Sequence, residues 1–330
     1  MRNLITDIAG VRVGHAEDRK IGSGVTAILF DTPAVAAADL RGGAPGTRES
    51  ALLDPAMTVE RIDAIALSGG SAFGLDAASG VQAWLAEQGR GFEVRGARVP
   101  IVPAAILFDL LNGGDKKWGR YPPYRELGFE AVKAAAIDFK MGSVGAGLGA
   151  RTVNLQGGIG SASAKTPDGI TVGALAAVNA AGGCTVGDTA HFWAAPFERG
   201  NEFGGLGFPA NVPNDALDFR VKGAVGENTA LIVVVTDATL TKSQTRRLAI
   251  MAQDGLARAI YPVHTPLDGD IVFAAATGKQ PLANPVHGLA ALGALAADTV
   301  ARAIARGVYK ATALPFAGAP PAWKDKFGKN

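Results

Sequence analysis

Gly226-Glu227-Asn228-Thr229-Ala230-Leu231-Ile232-Val233-Val234-Val235-Thr236-Asp237 decides how this chain is read. The run from Leu231 to Val235 is apolar and mostly β-branched with no polar alternation, which predicts a strand buried on both faces. Thr229 stands at its head. Were the bond between Asn228 and Thr229 cut, Thr229 would carry a hydroxyl nucleophile and a free α-amine. The amine, with a reference pKa near ~8, suits the task of taking the hydroxyl proton. Taken alone, Asn228-Thr229 reads first as closing a turn and opening a strand, so the rest of the chain has to decide.

The 330 residues are 48% hydrophobic and 19% charged, with 44 glycines, which predicts one compact, turn-rich enzyme domain spanning 1–330. A net charge of +2 without a long basic run gives no footprint for nucleic acid. The single cysteine, Cys184, excludes an internal disulfide and a cysteine-rich zinc site, and is read as a small buried side chain in a reducing compartment. Met1 to Asp7 lack a signal-peptide core, and no run approaches roughly 18 uninterrupted apolar residues. A cytoplasmic protein with no membrane partner is the expectation.

Upstream of Thr229, Val11–His15 and Gly24–Asp31 predict paired strands. His15, without an acidic neighbour, reads as a surface or turn residue. Arg41 and Arg48 flank a Gly/Pro loop and are expected to meet a nearby acid or a second subunit. Ile62–Leu67 predicts a strand entering Ser68-Gly69-Gly70-Ser71-Ala72-Phe73-Gly74. A helix follows, with Leu75, Ala78, Val81, Trp84 and Leu85 on one face and Gly89 past its end. Strand, glycine turn and helix start together suggest an anion cradle. The Lys-Ser/Thr ending of a P-loop is missing, as is the second glycine of a nucleophile elbow. What remains at Ser71 is close packing or backbone approach to a substrate.

Pro100–Asp109 predicts another strand, followed by an aromatic loop through Trp118, Tyr121 and Tyr124 of the kind that borders a site, and then helix from Leu127 through Val132. Gly142–Ala150 imitates a dinucleotide fingerprint, but no strand precedes Gly145 and no helical period follows Ala150, so no nucleotide cofactor is expected. Ile170–Val178 predicts a core strand that delivers Asn179 at its end. That amide suits either an oxyanion donor or a turn cap. From Ala194 to Lys222 the chain reads as a linker leading to the proposed cut.

Downstream, Thr241-Lys242-Ser243-Gln244 is a capping box for a helix carrying Leu248, Met251 and Leu256 on one face. Asp268-Gly269-Asp270 resembles a fragment of a calcium loop without the remainder of that loop, and reads as a pair of carboxylates for orienting an ammonium or hydroxyl. Ile271–Ala276 predicts a strand, and Asn284-Pro285 caps a last long helix. The tail after Leu314 is expected to be poorly ordered or to contact a subunit. Four histidines without His-x-x-x-His spacing call for no metal.

With these pieces in place, the chain resembles the self-cleaving N-terminal-nucleophile aminopeptidases: L-aminopeptidase/D-esterase, the β-peptidyl aminopeptidases and the nylon-oligomer hydrolases. The resemblance runs over nearly the whole length. It is carried by Asp39-Leu40-Arg41-Gly42-Gly43-Ala44-Pro45-Gly46-Thr47, Leu67-Ser68-Gly69-Gly70-Ser71-Ala72-Phe73-Gly74-Leu75, Val144-Gly145-Ala146-Gly147, Gly157-Gly158-Ile159-Gly160-Ser161-Ala162-Ser163, Asn228-Thr229, and His264-Thr265-Pro266-Leu267-Asp268-Gly269-Asp270.

The resemblance implies an α/β fold, a four-layer αββα sandwich, and self-cleavage into 1–228 and 229–330. It also implies a homotetramer of such αβ units acting on a small peptide or amide substrate, nylon (6-aminohexanoate) oligomers included. Thr229 would be the nucleophile, Asn179 the oxyanion donor, and Asp268 with Asp270 the acids that position the nucleophile and its amine. Two residues depart from the pattern. Phe108 stands where some members place a tyrosine hydroxyl, and Asn154 where the nylon-oligomer enzymes place a lysine. Two other readings stay open: a serine hydrolase using Ser68 or Ser71 with His191 or His264, and a silent, unprocessed small-molecule binding protein.

Overall fold

The computed structural model describes residues 1–223 and 227–328, so Gly226 lies outside the described residues. Among the described residues the strands are β1 (Val11–Asp18), β2 (Ser23–Leu40), β3 (Thr47–Arg48), β4 (Arg61–Ser68), β5 (Phe92–Val94), β6 (Ala97–Val99), β7 (Ala104–Ile106), β8 (Gly158–Lys165), β9 (Thr171–Asn179), β10 (Thr229–Ala238) and β11 (Ile271–Gln280). The helices are α1 (Ala77–Glu87), α2 (Tyr124–Lys133), α3 (Lys242–Ala252), α4 (Asp254–Ala257), α5 (His287–Lys310) and α6 (Trp323–Phe327). Nine strands pair in one sheet in the order β3-β7-β4-β2-β11-β10-β9-β8 with β1 on β2, and β5 and β6 make a separate hairpin.

Pairing is continuous because β2, 18 residues long, serves two sets of neighbours. Val25–Leu29 pair with β4, and Val35–Leu40 with β11. The strand expected at Gly24–Asp31 therefore runs on through Pro33, which sits where the register shifts, a place where a sheet tolerates proline. The strand expected at Pro100–Asp109 shrinks to Ala104–Ile106. Pro100 and Pro103 have no N–H to offer a ladder there.

Three apolar clusters fill the molecule. In β10 every residue is buried, and successive side chains serve two of the clusters. Ala230, Ile232 and Val234 pack with Leu248 of α3 and Val300 and Ile304 of α5, while Leu231, Val233 and Val235 pack with Ile28, Phe30, Ile65 and Phe273. Burial on both faces is why the run lacks alternation. A third cluster joins Val25, Ala27 and Leu29 to Val81 and Leu85 of α1 and Val132 of α2.

The capping box forms as read, with the Thr241 hydroxyl accepting from the Gln244 amide and Gln244 Oε1 accepting from the Thr241 amide. Helix α5 lies on β8 so closely that a Cβ at Gly160 would stand 1.9 Å from the Ala303 carbonyl, which accounts for that glycine. By length and composition α5 is apolar enough to cross a membrane. It instead buries Arg302, whose Nε donates to Glu202 Oε1 at 2.6 Å and whose Nη2 donates to Asn3 Oδ1 at 2.8 Å.

That ion pair corrects the linker expectation. The stretch from Ala194 is pinned at Glu202 and Phe203, the latter 2% exposed, because a buried guanidinium requires its carboxylate. The tail is also held in place. Trp323 packs against Tyr309 with ring centroids 4.9 Å apart, and its Nε1 donates to the Ala190 carbonyl at 3.0 Å. Replacing Arg302 by Leu leaves the buried Glu202 carboxylate with only neutral donors such as Asn3 Nδ2 and the longer 3.6 Å pair to Arg306, and is expected to cost about 3 kcal/mol. Urea denaturation measures this, and a loss below about 1 kcal/mol would contradict the pair's role.

Candidate active site

Strand direction assembles the site. β10 and β11 are parallel, and each is antiparallel to its outer neighbour, β9 or β2. The starts of β10 and β11 therefore lie beside the ends of β9 and β2. Thr229 is the register partner of Asn179, and the residue preceding it, Asn228, bridges to Asp268. The Arg41–Ala44 loop closes over the same edge. Arg41 and Gly42 donate amides to the Asp270 carbonyl at 3.0 and 3.2 Å, and Ala44 donates to the Asp268 carbonyl at 2.7 Å. Arg41 itself meets a nearby acid, with Nε 2.6 Å from Asp39 Oδ2.

The Thr229 hydroxyl donates to the carbonyl oxygen of Asn228, the group it would have to attack in self-cleavage. That same oxygen accepts the Gly269 amide at 2.8 Å. Only glycine fits at 269, since a Cβ there would stand 2.8 Å from Thr229 Oγ1 and 2.7 Å from the Ala44 carbonyl. A carbonyl that already accepts a fixed backbone N–H is polarised where negative charge would develop.

Asn179 is buried and its amide is fully engaged. Nδ2 donates to the Phe108 and Glu227 carbonyls, both at 3.1 Å, while Oδ1 accepts from the Arg151 amide at 3.1 Å and from Lys222 Nζ at 2.9 Å. Two donors on one side and two carbonyls on the other fix the orientation of the amide. Asn179 thus grips the carbonyl of Glu227, next to that of Asn228.

Asp268 and Asp270 are each 1% exposed. Asp270 Oδ1 accepts the amide of Ala230 at 2.7 Å, immediately after Thr229, and its Oδ2 accepts the His264 amide at 3.1 Å and faces His264 Nδ1 at 3.0 Å. Asp268 accepts the Ala181 amide at 3.1 Å and the Thr265 hydroxyl at 2.6 Å. Burial, and then the Asp270 charge, push the Asp268 carboxyl above the usual carboxylate range. Among the described residues neither carboxylate hydrogen-bonds the Thr229 side chain; Asp270 holds the backbone next to it, and Asp268 holds the segments at Ala181 and Thr265.

Thr229, Asn179, Asn228, Asp268 and Asp270 are therefore brought together, with Phe108 contributing its backbone carbonyl. Asn154 stands apart. Its Nδ2 reaches Thr185 Oγ1 at 3.2 Å, and it lines a cavity of about 330 Å³ with Gly183, Asp188, Trp193 and Tyr261. Ser71 has φ +53° and gives its amide to the Leu107 carbonyl at 3.0 Å. The anion cradle suggested by its motif is filled from within, because the Gly70 amide donates to Asp109 Oδ1 at 2.8 Å.

Among the described residues neither Ser68 nor Ser71 hydrogen-bonds a histidine. Ser68 Oγ donates to the Gly69 carbonyl at 3.0 Å, which leaves the serine-hydrolase reading without its base. His15 is also structural, bonded to Thr26 and the Lys140 carbonyl, and burial pulls its pKa down to about 4. Burial pushes the Cys184 thiol up to about 12, which makes it an inert side chain. Sequence reasoning missed three contributors. Gly269 and His264 lay inside a quoted motif, whereas Lys222, a single lysine in a polar stretch, gave no signal.

The family model of peptidase family S58 matches residues 3–319. The chain belongs to peptidase family S58. An uncharacterized aminopeptidase of Mycobacterium tuberculosis is 44% identical over 98% of both chains. A 6-aminohexanoate-oligomer endohydrolase of Agromyces is 27% identical over 83% of this chain and 74% of its own. Among solved structures, a β-aminopeptidase of Burkholderia superposes with TM-score 0.73 at 23% identity, covering 99% of this chain and 92% of its own. The L-aminopeptidase D-Ala-esterase/amidase of Ochrobactrum anthropi, a variant of the N-terminal-nucleophile hydrolase fold, gives TM-score 0.71 at 20% identity, covering 97% and 91%. This S58 member has that α/β fold and is a hydrolase of peptide or amide bonds.

Gly269→Ala forces Thr229 Oγ1 and the Ala44 carbonyl apart and disturbs the amide on the Asn228 carbonyl. Any Asn228–Thr229 cleavage should slow at least ~10²-fold, the usual loss for one oxyanion donor, as followed by electrophoresis over time. Cleavage at the wild-type rate would show that this amide does not serve the bond.

Proposed function

We propose that the chain cuts itself between Asn228 and Thr229, and that Thr229 then acts as the N-terminal nucleophile of an aminopeptidase or amidase. The observation that carries this reading is the Thr229 hydroxyl lying on the Asn228 carbonyl while the Gly269 amide holds the same oxygen at 2.8 Å. In the first step Thr229 Oγ bonds to the Asn228 carbonyl carbon, the C–N bond breaks, and the hydroxyl proton passes to the departing nitrogen. Water then hydrolyses the ester, releasing the Asn228 carboxylate and restoring the Thr229 hydroxyl beside the amine freed in the first step.

In turnover the Thr229 amine takes the hydroxyl proton as Oγ attacks a substrate carbonyl, and gives it to the leaving amine. Asn179 Nδ2, no longer holding Glu227, donates to the oxyanion. Water completes the cycle. Phe108 offers no hydroxyl here, so oxyanion stabilisation falls to Asn179 and backbone amides. Asp270 fixes the backbone just after the nucleophile, and Asp268 fixes the segment after Asn179.

The substrates are short peptides or related amides, with 6-aminohexanoate oligomers among the candidates. The cavity at Asn154 is where their distal portion would lie, since residues 179–183 lead from Asn179 to it. A homotetramer of αβ units in the cytoplasm completes the reading.

Purified protein should run as two pieces of roughly 23 and 10 kDa on denaturing gels, in proportion to their lengths. It should hydrolyse aminoacyl p-nitroanilides. Thr229→Ala should stay one band with no turnover. A Thr229→Ala protein that is still cut at this bond, or that retains activity, contradicts the assignment.

A further inference from the structure

Lys222 lies in the segment leading to the cut, and the reactions above give it no role. As a residue it is partly exposed, yet its amine is enclosed by protein atoms. Nζ reaches the Arg151 carbonyl at 2.6 Å, Asn179 Oδ1 at 2.9 Å and the Asn179 carbonyl at 3.3 Å. All three are acceptors. An ammonium supplies three N–H groups for them, whereas a neutral amine would turn its lone pair on one.

The anchors of Lys222 survive the proposed cut. Its backbone amide donates to the Ala181 carbonyl at 3.0 Å, and its side-chain partners are Arg151 and Asn179, all within 1–228. The residues nearest the bond are held differently. Asn228 bridges to Asp268 and its carbonyl takes the Gly269 amide, both on the downstream side, while its Nδ2 donates to the Lys222 carbonyl at 2.9 Å. Once the bond is cut, the new chain end has two upstream hydrogen bonds to give up, Asn228 to the Lys222 carbonyl and Glu227 to Asn179, whereas Lys222 keeps its own three contacts to Arg151 and Asn179.

We infer that Lys222 is a positioning residue for turnover. It holds Asn179 Oδ1 so that, after Glu227 departs, Nδ2 faces the oxyanion of the substrate. The inference rests on the Thr229 reading and extends it to the segment upstream of the cut. In the uncut chain the Glu227 carbonyl occupies Nδ2, so the same loop both blocks the donor and carries the residue that aligns it.

Charge gives this role a pH signature. Burial pulls the Lys222 amine well below the usual lysine range, with the Arg151 guanidinium acting in the same direction, while Asp268, Glu227 and Asp109 oppose it. The ammonium is therefore lost at a lower pH than in an ordinary lysine, and Asn179 loses its clamp with it. Activity should rise as the Thr229 amine deprotonates and fall again as Lys222 does.

The test uses the full chain as wild type, K222M, K222R, N179A and N179A/K222M, assayed with an aminoacyl p-nitroanilide across pH. K222M should still be cut, keep KM within about threefold and lose about ten- to hundredfold in kcat, without the alkaline fall. In the N179A background K222M should cost less than about twofold, because its effect passes through that amide. K222R, which keeps its charge, should retain most of kcat and lose the alkaline fall, an outcome that stands even where K222M does not fold.

A K222M kcat within about twofold of wild type overturns the inference, as does an equal loss with and without Asn179. So does a K222R profile that falls with wild-type pH dependence, or a folded K222M that is never cut, which would place Lys222 in maturation. Failure of the wild-type chain to mature would instead strike the Thr229 reading.

Discussion

The whole arrangement depends on one restrained carbonyl, that of Asn228. It emerges where strand pairing begins, so its position is fixed by the registers of β10 with both neighbours rather than by a loop. The Gly269 amide holds its oxygen and the Thr229 hydroxyl lies against it. A carbonyl in this setting cannot drift from the Thr229 hydroxyl without breaking ladder bonds. Regular structure supplies the positioning that a catalytic group otherwise obtains from extra side-chain contacts.

The acids act one step back. Asp270 and Asp268 spend their oxygens on the amides of Ala230, Ala181, His264 and Thr265. Burial raises the Asp268 pKa, and repulsion from the Asp270 carboxylate two residues on adds to it. The backbone hydrogen bonds justify keeping that repulsion, because each ties one site-forming segment to another. The Arg41–Ala44 loop seals the assembly by donating amides to the backbone of the same two residues.

Much of this was legible in the sequence, for identifiable reasons. Apolar runs, β-branched in β10 and alanine-rich in β9 and β11, gave the positions of these strands, and the Thr241–Gln244 box gave the start of α3, since both signals are local. Asn179 and Thr229 were identified by standing at strand ends. Their being register partners depends on antiparallel pairing across 49 intervening positions, which no local pattern encodes. The two proline-bearing strands were misjudged because a bulge at Pro33 and missing ladder donors near Pro103 depend on which neighbour is present. The supposed linker and tail were misread for a related reason. Their order comes from Glu202 meeting Arg302, and from Trp323 meeting Tyr309, contacts made with a helix distant in sequence. Lys222 was invisible because its importance lies in what its amine touches.

N-terminal sequencing of the active, purified protein tests the central claim most directly. The account predicts two chain starts in equal amounts, one of them reading Thr-Ala-Leu-Ile-Val from Thr229. Fully active material with no chain beginning at Thr229 would contradict it, since the nucleophile would then lack the free amine that serves as its base.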